Sequence, residues 1–303
     1  MSARWCAAAL LPTGVLAVAA CAVIDQGAQT VAGVAAGAGV ISHSQAEGIK
    51  KTSTAFRKSA EEFTESEEYY IGRSVSAEIL TRYRGADLQA LGRYVATLGT
   101  ALAMSSDRPE IFAGYHFRVL DTDEINAFAT PGGFVFVTRG MLRKVESEDQ
   151  LAGVLAHELA HVCLKHGLKS IRSARLTQAF SILAVEAGKA YTQAELGQLT
   201  EAFEGALNDI VGTLVVNGYG RGLEADADAR AATFMKRAGY NPGALAAFIG
   251  KLGQGAPQQK GFAKTHPDSA DRLKKLAAIG VMPAIPASNA VRTDRFQRAM
   301  KDV

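Results

Sequence analysis

One short stretch of this 303-residue chain carries residue types that could do chemistry together. His157-Glu158-Leu159-Ala160-His161 lies in the helical run QLAGVLAHELAHVCLKH. Residues i and i+4 share a helix face, offset by roughly 40° around the axis, so both imidazoles can reach one ion. Glu158 flanks that face, where its carboxylate can take a proton from a water at the ion. Leu151, Val154, Leu155, Leu159 and Val162 surround the pair. A polar cluster in so apolar a helix is costly unless satisfied, and a metal satisfies it. With 6 His in the chain, chance yields on the order of 0.01 such patterns. The blander alternative is a helix with two capped or solvent-facing histidines.

Zinc in a catalytic site takes three protein ligands and keeps one position for water. Continuing the helix projects His166 to the side opposite His157, where it reads as an exposed or capping histidine, and Cys163 also points away as a reduced core thiol. Better donors sit in Gly220-Arg221-Gly222-Leu223-Glu224-Ala225-Asp226-Ala227-Asp228-Ala229-Arg230. Glu224 and Asp228 are four apart on one face, while Asp226 faces away. One carboxylate can ligate the metal while the other takes a histidine N–H and fixes its tautomer. Alanines at 225, 227, 229, 231 and 232 suit close helix packing better than an acidic, solvated face.

These side chains need a scaffold, and the sequence supplies one. Amphipathic helices are expected at 54–82 and 86–104, the latter with Leu88, Leu91, Val95, Leu98 and Leu102 at helical spacing. The period then changes. Tyr115–Leu120 alternates, Asn126–Thr130 is extended, Pro131-Gly132-Gly133 is a turn, and Phe134–Thr138 is β-rich. Further helices are expected at 147–167, 172–190, 192–215, 222–238 and 242–253. Residues 254–265 read as a loop, a helix starts near Asp268, and Arg292–Met300 forms a last short helix. The fold class is α+β, mostly helical, with a small sheet beside the helix of the two histidines.

Composition is that of an ordinary globular chain, with 48% hydrophobic and 21% charged residues. The net charge of +3 arises from 33 Lys+Arg against 30 Asp+Glu. That balance gives no basic excess with which to neutralise phosphates, so no nucleic-acid partner is expected. Residues 1–4 carry Arg4, an apolar run follows from Trp5 to Ala20, and Val18-Ala19-Ala20-Cys21 closes it. This is the charged-then-apolar pattern of a secretory signal. The small residues before a cysteine resemble a bacterial lipobox, in which Cys21 is acylated and begins the mature chain. A plain signal peptide or a short membrane anchor are the alternatives, although Pro12 and a length under roughly 20 residues disfavour a spanning helix. Several acyl chains on Cys21, palmitate among them, would hold the protein to a bilayer. Ala22, where retained inner-membrane lipoproteins resemble one another in carrying Asp, favours the outer membrane. Residues 21–50 then read as lipidated cysteine and flexible tether, 51–282 as the catalytic domain, and 283–303 as a C-terminal tail. With Cys6 removed and Cys21 acylated, Cys163 has no disulfide partner.

Taken in order, four blocks resemble peptidase family forty-eight, the gluzincins that include the CAAX prenyl endopeptidases and bacterial outer-membrane quality-control metalloproteases. They are Asn126-Ala127-Phe128-Ala129-Thr130-Pro131-Gly132-Gly133 through Val137-Thr138-Arg139-Gly140; Leu155 to Val162; Arg221-x-x-Glu224-x-x-Ala227-Asp228; and Thr265-His266-Pro267-Asp268-Ser269-Ala270-Asp271-Arg272. The resemblance spans about 60–280 and implies a zincin-like fold. Gly222-Leu223 departs from it, since charged residues are common there. The resemblance implies one Zn²⁺ held by His157, His161 and Glu224, with Glu158 as general base and Asp228 orienting a ligand histidine. His266 and Arg221 are candidate donors to the carbonyl oxyanion, while His266-Pro267 also reads as a helix start with a buried cap. It further implies an endopeptidase acting on unfolded or misassembled envelope proteins, outer-membrane proteins among them, lipid-anchored to the outer membrane and facing the periplasm. The alternative is a periplasmic chaperone or assembly lipoprotein with a latent or gated zinc site.

Overall fold

The computed structural model describes residues 63–171, 204–205, 207–208, 210–253, 261–266, 269–284 and 289–303. The expected signal segment 1–20, Cys21, the tether 21–50, the helix 172–190 and most of 192–215 lie outside the described residues. One compact unit comprises Thr64–Ile171 with Leu207–Val303.

The first helix, α1 (Glu65–Arg82), starts at a capping box: the Thr64 side chain accepts from Glu67 N, and Glu67 accepts in return from Thr64 N. Helix α2 (Gln89–Met104) follows and buries Leu91, Val95, Leu98 and Leu102, the stripe its spacing predicted. Strands β1 (His116–Leu120), β2 (Ala127–Thr130) and β3 (Phe134–Thr138) form a sheet in the order β1-β3-β2. β1 runs parallel to β3, with Phe117 opposite Val135, and β2 antiparallel, with Phe128 opposite Phe136. Like β1, β2 is therefore an edge strand. Its turn into β3 is a single 3₁₀ turn, Pro131–Gly133, in which Gly132 has φ 70°, a left-handed value that favours glycine. α1 presses on this turn. At Gly72 a Cβ would lie 1.7 Å from the Pro131 carbonyl oxygen, so only a bare glycine lets the helix come so close.

Short helix α3 (Arg139–Lys144), capped by Thr138, leads to α4 (Glu148–Cys163), whose cap Ser147 accepts from Gln150 N. Glu148 and Asp149 then stand in the first turn, where acidic groups favour the helix dipole. Every residue of α4 from Glu148 to Val162 is buried, which marks it as the central helix of the core. β2 and α2 pack against it, as do α6 (Arg221–Arg237) and α7 (Gly243–Gly253).

α4 ends sooner than its sequence pattern suggests. Leu164-Lys165 break it, with Lys165 at φ 54°, and α5 (His166–Ile171) begins anew. Ile210, Val211, Leu214 and Val215 are buried around a π-helical turn, Gly212–Asn217, so this apolar run is core. The loop expected at 254–265 also needs correcting at its end. Phe262–Thr265 form a helical turn, α8, whose Phe262 N–H donates to Ile125 O at 2.7 Å. α9 (Ser269–Ala278) and α10 (Ala290–Ala299) complete the unit. Among the described residues no helix is long and apolar enough to cross a membrane.

Candidate metal centre

α4 presents His157 and His161 from one face, and α6, packed across it, presents Glu224 and Asp228 from the face toward them. Among the described residues one group could hold an ion: His157, His161, Glu224 and His266, all buried, with ligand atoms within 4.8 Å of one another. His157 Nε2 lies 3.0 Å from His161 Nε2 and 3.5 Å from Glu224 Oε2, and His161 Nε2 lies 3.6 Å from Glu224 Oε1. Bonds of about 2.0–2.1 Å to a tetrahedral zinc place ligand atoms roughly 3.3 Å apart. The observed edges bracket that value, so the donor set fits the ion.

Charge points the same way. Glu158, Glu224 and Asp228 are all buried, and Arg272 is the buried cation beside them. The excess of acid would be costly in a dry interior, and a dication offsets it. Their field shows in the protonation of the site. Burial works to push the His157 ring down, yet hydrogen bonds to Asp228 and Glu224 raise it to about 9. Burial also opposes the Asp228 charge, and the Arg272 guanidinium overcomes this to hold the carboxyl down at about 2. For Glu158 burial dominates and the pKa rises, the direction a general base needs to hold a proton for part of its cycle. Glu158 Oε1 has no hydrogen-bond partner among the described residues, so it is available to a water or substrate.

Asp228 stands 2.9 Å from His157 Nδ1, where it can accept that N–H. His266 lies elsewhere than a purely oxyanion-facing donor would. Its Nδ1 joins the ligand atoms, 3.1 Å from His157 Nε2 and 2.9 Å from Glu224 Oε2, while its Nε2 faces Glu158 Oε1 at 3.6 Å. Phe262 stacks on its ring at 4.1 Å between centroids. The residue is the C-cap of α8. Arg221, the other oxyanion candidate, is exposed at the start of α6 and is not in this group.

Three residues of the site escaped the sequence reading. Arg272 donates twice to Asp228 at 2.7 Å and once to His266 O at 3.2 Å. Its signal was present in the Thr265–Arg272 block, which ends on it. Tyr219, buried five residues before Glu224, stacks on His161 at 4.3 Å and 15°. The reading of His166 as exposed is corrected. It is 1% exposed, and its Nδ1 is 2.9 Å from His161 Nδ1. The break at Leu164-Lys165 turns it back toward the site, which a continuous helix would not do. Burial lowers its pKa to about 4.

Comparison with known proteins bears on the same residues. The model of Peptidase family M48 matches residues 89–279, a span that takes in α2, the sheet, α4, α6 and α9. Beta-barrel assembly-enhancing protease of Yersinia pestis is 31% identical over 193 residues, 60% of this chain and 37% of that protein. Mitochondrial metalloendopeptidase OMA1 of Schizosaccharomyces pombe is 35% identical over 166 residues, 54% of this chain and 45% of that one. Metalloprotease LoiP of Escherichia coli is 27% identical over 165 residues, covering 53% and 61%. The chain thus spans less than half the length of the first two of these relatives. The match runs through the sheet and through both helices that supply the centre, and by it the chain belongs to peptidase family M48.

Proposed function

We propose that the chain is a zinc-dependent endopeptidase. One observation carries this reading: two imidazoles of one helix and a carboxylate of another meet at zinc-ligand spacing, beside a buried Glu158 oxygen that has no hydrogen bond among the described residues. Zinc held by His157, His161 and Glu224 would supply a Lewis acid for the scissile carbonyl and lower the pKa of water to roughly 7. Glu158 Oε1 would take a proton from the attacking water and return it to the leaving amine. Asp228 would hold the His157 tautomer, itself held by Arg272. β2, the edge strand beside α4, would pair main chain to main chain with an extended peptide, giving weak sequence preference. Unfolded or misassembled proteins of the cell envelope are the substrate class that suits such binding. Relatives named for β-barrel assembly support outer-membrane proteins among them. The Val18-Ala19-Ala20-Cys21 run supports a lipid anchor at Cys21 and a place at the outer membrane, facing the periplasm.

The test is Glu158→Gln. Zinc should stay bound while casein proteolysis disappears, and unchanged cleavage would refute the base assignment.

The position of His266 favours a second reading, a protease whose site is gated. Its Nδ1 stands where a fourth ligand would, and the Phe262 N–H donates to the Ile125 carbonyl, two residues before β2 begins. His266→Ala separates the readings: a gate predicts faster casein cleavage, and an oxyanion donor predicts slower cleavage.

A further inference from the structure

A histidine that ligates through one nitrogen must place the proton of the other. His157 has the Asp228 carboxylate for this, 2.9 Å from its Nδ1. At His161 Nδ1 the partner among the described residues is a ring nitrogen, His166 Nδ1 at 2.9 Å. We propose that His166 is a positioning residue that accepts the Nδ1 proton of His161, so that an imidazole serves His161 as a carboxylate serves His157. The inference rests on the zinc reading given above.

His161 Nε2 faces the centre, 3.0 Å from His157 Nε2 and 3.6 Å from Glu224 Oε1. Once that lone pair is committed to a cation, the neutral ring carries its single proton on Nδ1. A buried N–H needs an acceptor. The His166 ring supplies one if its own proton sits on Nε2, leaving the Nδ1 lone pair toward His161. The rings stand 4.9 Å apart and 70° out of parallel, so they meet by edges and not by faces. Two features fix the pair. The left-handed Lys165 redirects the chain after α4 so that His166 returns to His161. Tyr219 lies flat on His161 at 4.3 Å and against His166 at 5.8 Å, restricting both rings. A neutral imidazole draws less electron density into its partner than a carboxylate does, so the two ligand histidines are chemically unequal.

Two measurements on the full chain test this. In the zinc-loaded, ¹⁵N-labelled protein, a scalar coupling across the N–H···N bond should link His161 Nδ1 and His166 Nδ1. A His161 Nδ1 proton with no such coupling would overturn the proposal. Zinc affinity, read by chelator competition, should fall about 10–100-fold in His166→Leu, the loss typical when a partner behind a ligand is removed. In His166→Asn it should stay near the starting value, because Asn Oδ1 takes the place of Nδ1. A role in packing alone would leave Leu as good as Asn, and that result counts against the proposal. Should His166→Leu not fold, the coupling in the unsubstituted protein decides. If the unsubstituted chain binds zinc and both variants match it, this inference falls alone; if it binds none, the zinc reading falls and takes this inference with it.

Discussion

Asp228 sits between a ligand histidine and a guanidinium, and both contacts bear on the centre. Its Oδ1 accepts from Arg272 Nη2 and faces His157 Nδ1, while Oδ2 accepts from Arg272 Nε. Asp228→Asn keeps the shape but trades an acceptor-only group for an amide that must turn an N–H toward one of two donors. Zinc affinity should fall about 10–100-fold, measured by chelator titration. Removing Arg272 instead leaves Asp228 charged and buried, with His157 Nδ1 as its remaining partner and no guanidinium to balance it. Arg272→Met should destabilise the metal-free chain by about 3–5 kcal/mol, measured by urea unfolding. Much of this was legible at the level of single residues. Spacing within one helix placed His157, Glu158 and His161, because i and i+4 lie on one face whatever the rest of the chain does. Spacing also paired Glu224 with Asp228. Arg272 and Tyr219 were not legible from spacing, because they reach the site only when α9 packs on α6 and α7 and the 218–220 linker brings Tyr219 onto His161. His166 was misread for a local reason: the helix stops three residues before it.

At the scale of elements, α4 is tied at its N-terminus to the end of the chain. Glu148, its first residue, accepts from Tyr240 at 2.8 Å and Tyr94 at 3.0 Å, and Arg295 of α10 pairs with it. Arg292 reaches Asp149 at 3.3 Å. Burial alone would raise the Glu148 pKa, but Arg295 and the two tyrosine hydroxyls outweigh it and hold the value below the ordinary 4.5. A carboxylate held down in the fold adds stability above its ordinary pKa and loses it as pH falls through the folded value. Arg295→Leu should therefore lower stability at neutral pH, and the gap to the parent should close below about pH 4. Urea unfolding across pH checks this, and a gap independent of pH would contradict it. The C-terminal helix was visible in sequence as a patch at Arg292–Met300; its attachment to α4 was not, being a contact across more than 140 residues. A second constraint lies at α1. Gly72→Ala would push a methyl into the Pro131 carbonyl, and should cost about 1–3 kcal/mol by thermal or urea unfolding. The sheet was legible because its strands alternate over short runs and Pro131-Gly132-Gly133 marks the turn. Its strand order was not, because pairing is set by partners and not by period.

Taken whole, the molecule buries a site made from three distant stretches of chain, around His157, Glu224 and His266, so folding and metal binding should be linked. Zinc at 1,000 times its Kd adds about 4 kcal/mol to a fold that binds it and loses this when unfolded. Chelation should accordingly lower the melting temperature of the loaded chain, and zinc should restore it. The central claim is that His157, His161 and Glu224 together hold one zinc. Elemental analysis of the purified chain tests it most directly, alongside Glu224→Ala and Glu158→Gln. One equivalent of zinc is expected in the parent and in Glu158→Gln, and a small fraction of that in Glu224→Ala. A parent without zinc, or a Glu224→Ala chain that keeps its full equivalent, would contradict the account.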